Sequence, residues 1–184
     1  ANSLSLSSGR LQLTGSDDFS ITRSGSSGGV LTRESNASLF FGVDAGRTLT
    51  VSVPIANGQG HVEKDGAGTL VLNAANTFAG NLNINAGTVR YGATGSSDLN
   101  GNSVNIVNSG VLDFAGDTDT LGALMVYSGG VTNSVAGGSL TVSALKMGGG
   151  PVGSSTYVQS GTGSLKLAGD VVFSAANDPD MATI

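Results

Sequence analysis

Short runs of alternating apolar and polar residues recur along the whole chain, broken by Gly, Ser, Asn and Asp. Leu4-Ser5-Leu6, Leu11-Gln12-Leu13, Phe19-Ser20-Ile21, Leu49-Thr50-Val51-Ser52-Val53 and Leu70-Val71-Leu72 are early instances. Leu82-Asn83-Ile84, Val104-Asn105-Ile106, Leu140-Thr141-Val142, Leu145-Lys146-Met147 and Leu165-Lys166-Leu167 follow. Alternation with period two places apolar side chains on one face and polar ones on the other, which is the pattern of a strand. The runs predict strands of roughly three to five residues. No sustained i, i+3, i+4 stripe with a cap accompanies them, so no helix is expected.

Two all-β architectures compete for such a pattern. A sandwich uses Asn-Gly or Asp-Gly hairpins, longer strands and charged outer faces. A β-helix uses very short strands, turns rich in Gly and Asn, and a recurring period of one coil. Centres near Val51, Leu72, Tyr91 and Leu112, and the recurrence of Leu82-Asn83-Ile84 as Val104-Asn105-Ile106, give a spacing of about 20 residues. The period therefore favours a right-handed parallel β-helix (β-solenoid), with two or three strands per coil and the right-handed crossover preference of parallel strands. About eight coils fit, which at the spacing of neighbouring strands makes a rod on the order of 40 Å long. Gly68, Gly87, Gly110, Gly138 and Gly163 precede strands and are expected at coil corners with positive φ. Asn76, Asn81, Asn85, Asn100, Asn102 and Asn108 are candidates for the same conformation. Phe40, Phe41, Phe78, Phe114 and Phe173 are expected as large plugs in a core of Leu, Val and Ile, with looser ends at about 1–10 and 175–184.

Composition narrows the function. Glycine numbers 30 of 184 residues, roughly twice its average usage. Only 11% of residues are charged, yet 39% are hydrophobic, so the chain has the material for a core and is not of the disordered type. A net charge of −5, with eight scattered Lys and Arg, gives no basic stripe to replace phosphate counterions, so no nucleic-acid partner is expected. The absence of cysteine excludes a disulfide framework and thiolate metal sites. No apolar run reaches the roughly 20 residues of a membrane span. Ala1-Asn2-Ser3-Leu4-Ser5-Leu6 reads as strand and not as a signal peptide, and the ends look like those of a mature product or a fragment.

The segment from Lys64 to Tyr91 carries the densest set of spacings. Lys64-Asp65-Gly66-Ala67-Gly68-Thr69-Leu70-Val71-Leu72 is followed by Asn76-Thr77-Phe78-Ala79-Gly80, a strand, and Gly87-Thr88-Val89. This resembles the autotransporter-associated β-strand repeat of bacterial passenger domains: Lys-x-Gly-x-Gly-Thr-Leu-x-Leu, a turn, Asn-Thr-aromatic-x-Gly, a strand and Gly-Thr-Leu, with Val89 in place of the last leucine. The residues themselves read as structural: Thr69, Leu70 and Leu72 in one strand, Phe78 as an aromatic plug, and Leu82, Ile84, Val89 and Tyr91 on the faces of the next coil. The resemblance implies a passenger rod on a bacterial surface, whose parent carries a C-terminal outer-membrane barrel. No amphipathic barrel strands of about ten residues are seen in this chain.

Candidate chemistry is sparse. His61, Glu63 and Asp65 would share one face by alternation; one histidine cannot supply the imidazoles of most catalytic zinc sites, and the face is read as the solvated exterior of a coil. Asp113, Asp117 and Asp119 form the densest acidic group, but lack the order of an EF-hand loop or of a calcium nonapeptide, and are read as a solvated turn, as is Asp17-Asp18. No Gly-x-Ser-x-Gly elbow occurs. Gly148-Gly149-Gly150-Pro151 and Gly25-Ser26-Ser27-Gly28-Gly29 lack the lysine and helix of a phosphate loop and are read as loops between coils. Regular Thr-x-Thr ladders of the ice-binding kind are not found.

These features predict a single β-helix domain over residues 1–184, a fragment of a larger passenger with its repeat at 64–91. It is expected to be extracellular or on the cell surface and to act as a structural or adhesive rod. No catalytic, cofactor-binding or metal-binding residues are assigned. Self-association, or contact with a host surface or glycan, is the expected partnership. A carbohydrate-binding or carbohydrate-processing β-helix, and a passenger folding or secretion module, are the alternatives.

Overall fold

The computed structural model describes residues 3–6, 8–24, 28–33, 37–92, 99, 101–174 and 182–183. Its strands begin with β1 (Ser3–Ser5), β2 (Arg10–Leu13), β3 (Phe19–Ile21), β4 (Val30–Thr32), β5 (Leu39–Val43) and β6 (Thr48–Val51). The repeat supplies β7 (Val62–Asp65), β8 (Thr69–Leu72), β9 (Leu82–Ile84) and β10 (Thr88–Tyr91). Then come β11 (Val104–Ile106), β12 (Gly110–Asp113), β13 (Thr118–Val126), β14 (Gly129–Thr132) and β15 (Ser139–Gly148). The chain closes with β16 (Thr156–Gln159), β17 (Ser164–Leu167), β18 (Val171–Ser174) and β19 (Ala182–Thr183). No helix occurs among the described residues.

Strands two apart in sequence lie side by side through the middle of the chain, and strands three apart do so near its ends (β1–β4, β2–β5, β3–β6 and β15–β18). One seven-stranded sheet has the order β16-β14-β12-β10-β8-β6-β3, and a ten-stranded sheet runs from β19 and β18 through β15, β13, β11, β9, β7 and β5 to β2, with β17 also paired to β15. Among the described residues every strand pairing is parallel except β18–β19. Parallel neighbours separated by one coil define a β-solenoid and exclude a hairpin-built sandwich. Among the described residues the longer sheet stacks eight parallel rungs, β2 to β18, and the shorter one seven, and six to seven steps span roughly 30 Å at ordinary strand spacing.

Interior side chains stack in columns along the axis. One column runs Leu39, Val62, Leu82, Val104, Leu124, Leu145 and Val171. A second runs Leu11, Phe41, Lys64, Ile84, Ile106, Val126, Met147 and Phe173, a series of apolar rungs interrupted by one lysine. Phe41, Phe78 and Phe114 are buried as expected. Phe40 is not a plug: it pairs with Arg10 and Glu63 in an outward column, one residue out of phase with Phe41. Phe173 belongs to the inner column but is the last rung, and is 43% exposed because no parallel coil lies above it.

Several details depart from the pattern. Strands β13 and β15 have nine and ten residues, longer than the alternation suggested. In β13, burial falls at Asp119, Leu121, Leu124 and Val126, so the phase changes at Gly122-Ala123, where one strand rounds a corner and serves two faces. The register is also offset in one place. Val51 lies beside Leu72 and Leu72 beside Tyr91, but Leu112 pairs with Val89 and not with Tyr91. Ser3–Ser5 pairs with β4, so the first ten residues are not uniformly loose, whereas 175–181 and 184 lie outside the described residues.

Positive φ is confined to some of the expected corners. Gly87 and Gly138 have it, but Gly68, Gly110 and Gly163 do not. At Gly68 the requirement is space: a Cβ there would stand 2.2 Å from the Asp44 carbonyl oxygen, one coil below. Of the asparagines, Asn108 alone among the described candidates has positive φ, and Asn100 lies outside the described residues. Asn76 is instead buried, its side-chain oxygen accepting from the Ile55 amide at 3.0 Å.

Candidate functional site

Val62 points inward, so Lys64, two residues on in the same strand, does too. Its side chain is fully buried. The ammonium donates to the carbonyls of Asp65 (2.8 Å), Gly66 (2.6 Å) and Ala86 (3.1 Å). The first two belong to its own corner and the third to the corner one coil on. Gly66 makes this corner with φ +75°. Burial lowers the lysine pKa to about 8, opposed by the nearby Asp65 carboxylate, so the group remains an ammonium at neutral pH. The sequence held the signal for this residue in its even spacing from Val62.

The outer face beside it bears a polar ladder. His61 is exposed, and Glu63 and Asp65 share its side as alternation requires. The His61 Nδ1 accepts from the Asn81 amide at 2.9 Å. The acids are held by amides of the following coil: Asn83 donates to Glu63 (2.7 Å), and Asn85 donates to Glu63 (3.1 Å) and to Asp65 (3.0 Å). Asn105 in turn donates to Asn83 at 2.7 Å, and Arg10 lies 3.6 Å from Asp65. Each hydrogen bond joins adjacent rungs and the Arg10–Asp65 pair spans two, so the ladder braces the stack. Higher on the same face the outward residues become Met125, Tyr127 and Lys146, with the Lys146 ammonium 5.2 Å from the centre of the Tyr127 ring. Beside them a shallow groove of about 460 Å³ is lined by Val107, Asn108, Tyr127, Ser128 and the Gly149-Gly150-Pro151 loop.

The three aspartates are buried, with exposures of 6% for Asp113, 5% for Asp117 and 7% for Asp119, which corrects the solvated-turn expectation. In a solenoid the next coil covers a turn as it covers a strand. Asp113 Oδ1 accepts from the amides of Ala115 (3.0 Å) and Ser134 (2.9 Å), and Oδ2 from the Ser134 hydroxyl (2.6 Å). Arg90 stands 3.4 Å from the same Oδ2. Asp119 Oδ2 accepts from the Tyr91 hydroxyl (2.8 Å) and the Leu99 amide (3.1 Å), and Oδ1 from the Thr120 amide (2.7 Å). Asp117 accepts from Thr118 at 2.8 Å. Asp17 and Asp18 are exposed as expected, and Asp18 accepts from the Thr48 amide at 2.8 Å. Among the described residues no group of three or more His, Cys, Asp or Glu is placed to hold a metal ion. Thr48, Thr69 and Thr88 do stack in register, a three-rung ladder that the sequence spacing concealed, but Val71 and Arg90 replace the second threonine in its upper rungs. Gly148 ends β15, and the loop that follows borders the groove; residues 25–27 lie outside the described residues.

Two comparisons with known proteins agree with this architecture. The family model described as Passenger-associated-transport-repeat matches residues 62–90, the two coils around Lys64. An "Adhesin BmaC autotransporter" of Brucella suis biovar 1 (strain 1330) is 33% identical over 135 residues, 68% of this chain. The chain spans only 4% of that relative's length. No solved structure matches. The coils stacked around Lys64 and the match of the repeat place the chain in one class: it is a segment of an autotransporter passenger.

Proposed function

We propose that the chain is one stretch of a non-catalytic rod displayed outside a bacterial cell, whose lateral faces make adhesive contacts. The observation that carries this reading is the use made of the polar side chains: Lys64, Asp113 and Asp119 are buried in bonds that hold coil to coil. The Brucella relative's name supports adhesion for that protein. The parent of this chain would then carry the rod on a C-terminal outer-membrane barrel, with host surface, glycan or a second rod as partner. Sedimentation velocity over a hundredfold range of concentration, combined with binding of chain-coated beads to host cells, tests the proposal. An elongated particle and specific bead binding support it. A compact particle removes the rod, and an elongated particle without bead binding removes the adhesive part.

The description of the matched family favours a second reading, in which the repeat serves export of the passenger. Deleting the two coils from the whole parent and measuring the amount of passenger at the surface separates the two. Reduced display with unchanged adhesion per displayed molecule favours export.

A further inference from the structure

Alternation along a strand forbids a slip of one residue between coils, because every inward side chain would turn outward; it does not forbid a slip of two. The β10–β12 step illustrates this, since pairing Tyr91 with Leu112 and pairing Val89 with Leu112 both bury apolar residues, and only the second occurs. Coil length does not choose either. Paired positions are 21 residues apart from Val51 to Leu72, 19 from Leu72 to Tyr91 and 23 from Val89 to Leu112. Something other than hydrophobic pattern must select among even registers.

We propose that Lys64 is a register pin: its buried ammonium is satisfied only when the next coil delivers the Ala86 carbonyl above it, so that even-numbered slips of β9 and β10 are rejected. The geometry is specific. Two of its three acceptors, the carbonyls of Asp65 and Gly66, are already present in its own corner before the next coil arrives. At that stage the lysine sits at the open end of the stack, where water can serve the third donor. Laying down β9 covers Lys64 with Ile84 and expels that water. In the native register the Ala86 oxygen arrives 3.1 Å from Nζ. Ala86 lies outside β9, in the corner that Gly87 turns with φ +67°, so a two-residue slip carries that corner away from Nζ and leaves the ammonium buried with a donor unmet, which is far more costly than a lost neutral hydrogen bond. Hydrophobic residues in the same column, such as Ile84 and Ile106, carry no such directional requirement. The lysine thus adds little net stability, because its desolvation offsets its bonds, but it separates the native stack from its nearest competitors. This inference concerns how the rod assembles and stands whether or not the rod is adhesive.

The test uses the full chain refolded from urea, comparing the wild type with Lys64→Met and, as a control in the same coil, Leu70→Ala. Amide resonances and hydrogen exchange are followed in β9 and β10. The wild type should give one set of resonances. Lys64→Met should fold to a β-rich state of similar urea midpoint but show a second set of resonances confined to β9, β10 and the coils above, with a refolding phase roughly tenfold slower than the wild type's. Leu70→Ala, which opens a cavity without touching a directional bond, should lose stability yet keep a single set. One set of resonances and wild-type refolding kinetics in Lys64→Met overturn the proposal. So does failure of that variant to fold, which would make the lysine a source of stability, and so does the same second set in Leu70→Ala.

Discussion

The corner at Lys64 and the corner at Asp113 solve the same problem with opposite chemistry. Both bury polar side chains where the backbone turns between sheets, and both reach one coil onward, to Ala86 and to Ser134. Lys64 donates to three carbonyls, whereas Asp113 accepts from two amides and a hydroxyl. The difference matters because an orphaned amide is rarer in folded proteins than an under-satisfied carbonyl, which has a second lone pair and is more easily reached by water. Asp113 should therefore be the corner that stability depends on, and Lys64 the one that conformational choice depends on.

The comparison breaks most visibly at Asp113. Asp113→Ala strands two amides and a hydroxyl, and should cost about 3 kcal/mol, allowing for partial rescue by water; the matching fall in Tm is on the order of 10 °C. A thermal melt by circular dichroism checks it, and a loss no greater than that of Lys64→Met would erase the contrast between the corners. Next in size is Asp119→Asn. Its three bonds among the described residues are acceptances, so the amide places an NH₂ against a donor, at a cost of about 1–2 kcal/mol read from the urea midpoint. Asp113→Asn should cost less than Asp119→Asn, because the Ser134 hydroxyl can turn to accept.

A smaller effect sharpens the lysine side. The folded pKa of Lys64 is about 8, below its ordinary value near 10.5. Between those values the folded chain has released a proton that the unfolded chain still holds, so unfolding takes one up and stability rises with pH across the window. Urea midpoints of the wild type measured from pH 7.5 to 10.5 should climb relative to those of Lys64→Met; parallel curves would contradict the burial of the ammonium. Smallest is Tyr91→Phe, which removes one of the donors to Asp119 and should cost about 1 kcal/mol by the same measurement.

Much of this architecture was legible in the residues. Alternation located the short strands, and the recurrence of Leu82-Asn83-Ile84 as Val104-Asn105-Ile106 is an in-register pair. What escaped has a common cause. In a solenoid the environment of a residue is set by neighbours about 20 positions away, and local sequence does not announce them. Asp113-Phe114-Ala115-Gly116-Asp117 has the composition of a wet turn, and becomes buried because the segment around Ser134 covers it. Phe40 and Phe41 look equivalent until the strand's phase assigns one of them to the outside. The β13 corner hides in a break of alternation at Gly122-Ala123 that reads as a gap between two strands. In the polar ladder, Asn83 and Asn105 are the strand residues that alternation predicts, but Asn85, which looks like a turn residue only, reaches across to the neighbouring acids.

That ladder also has a direction. Asn105 donates to Asn83, and Asn83 donates to Glu63, so the amide dipoles point the same way along the axis and end on a carboxylate. Each polarises the next. The negative charge at Glu63 is thereby relayed across two rungs, roughly 10 Å, and the carbonyl of Asn105 becomes a stronger acceptor than an isolated amide. One flank of the rod consequently has an electrical head and tail, so that a molecule lying along it meets a different surface according to which way round it lies.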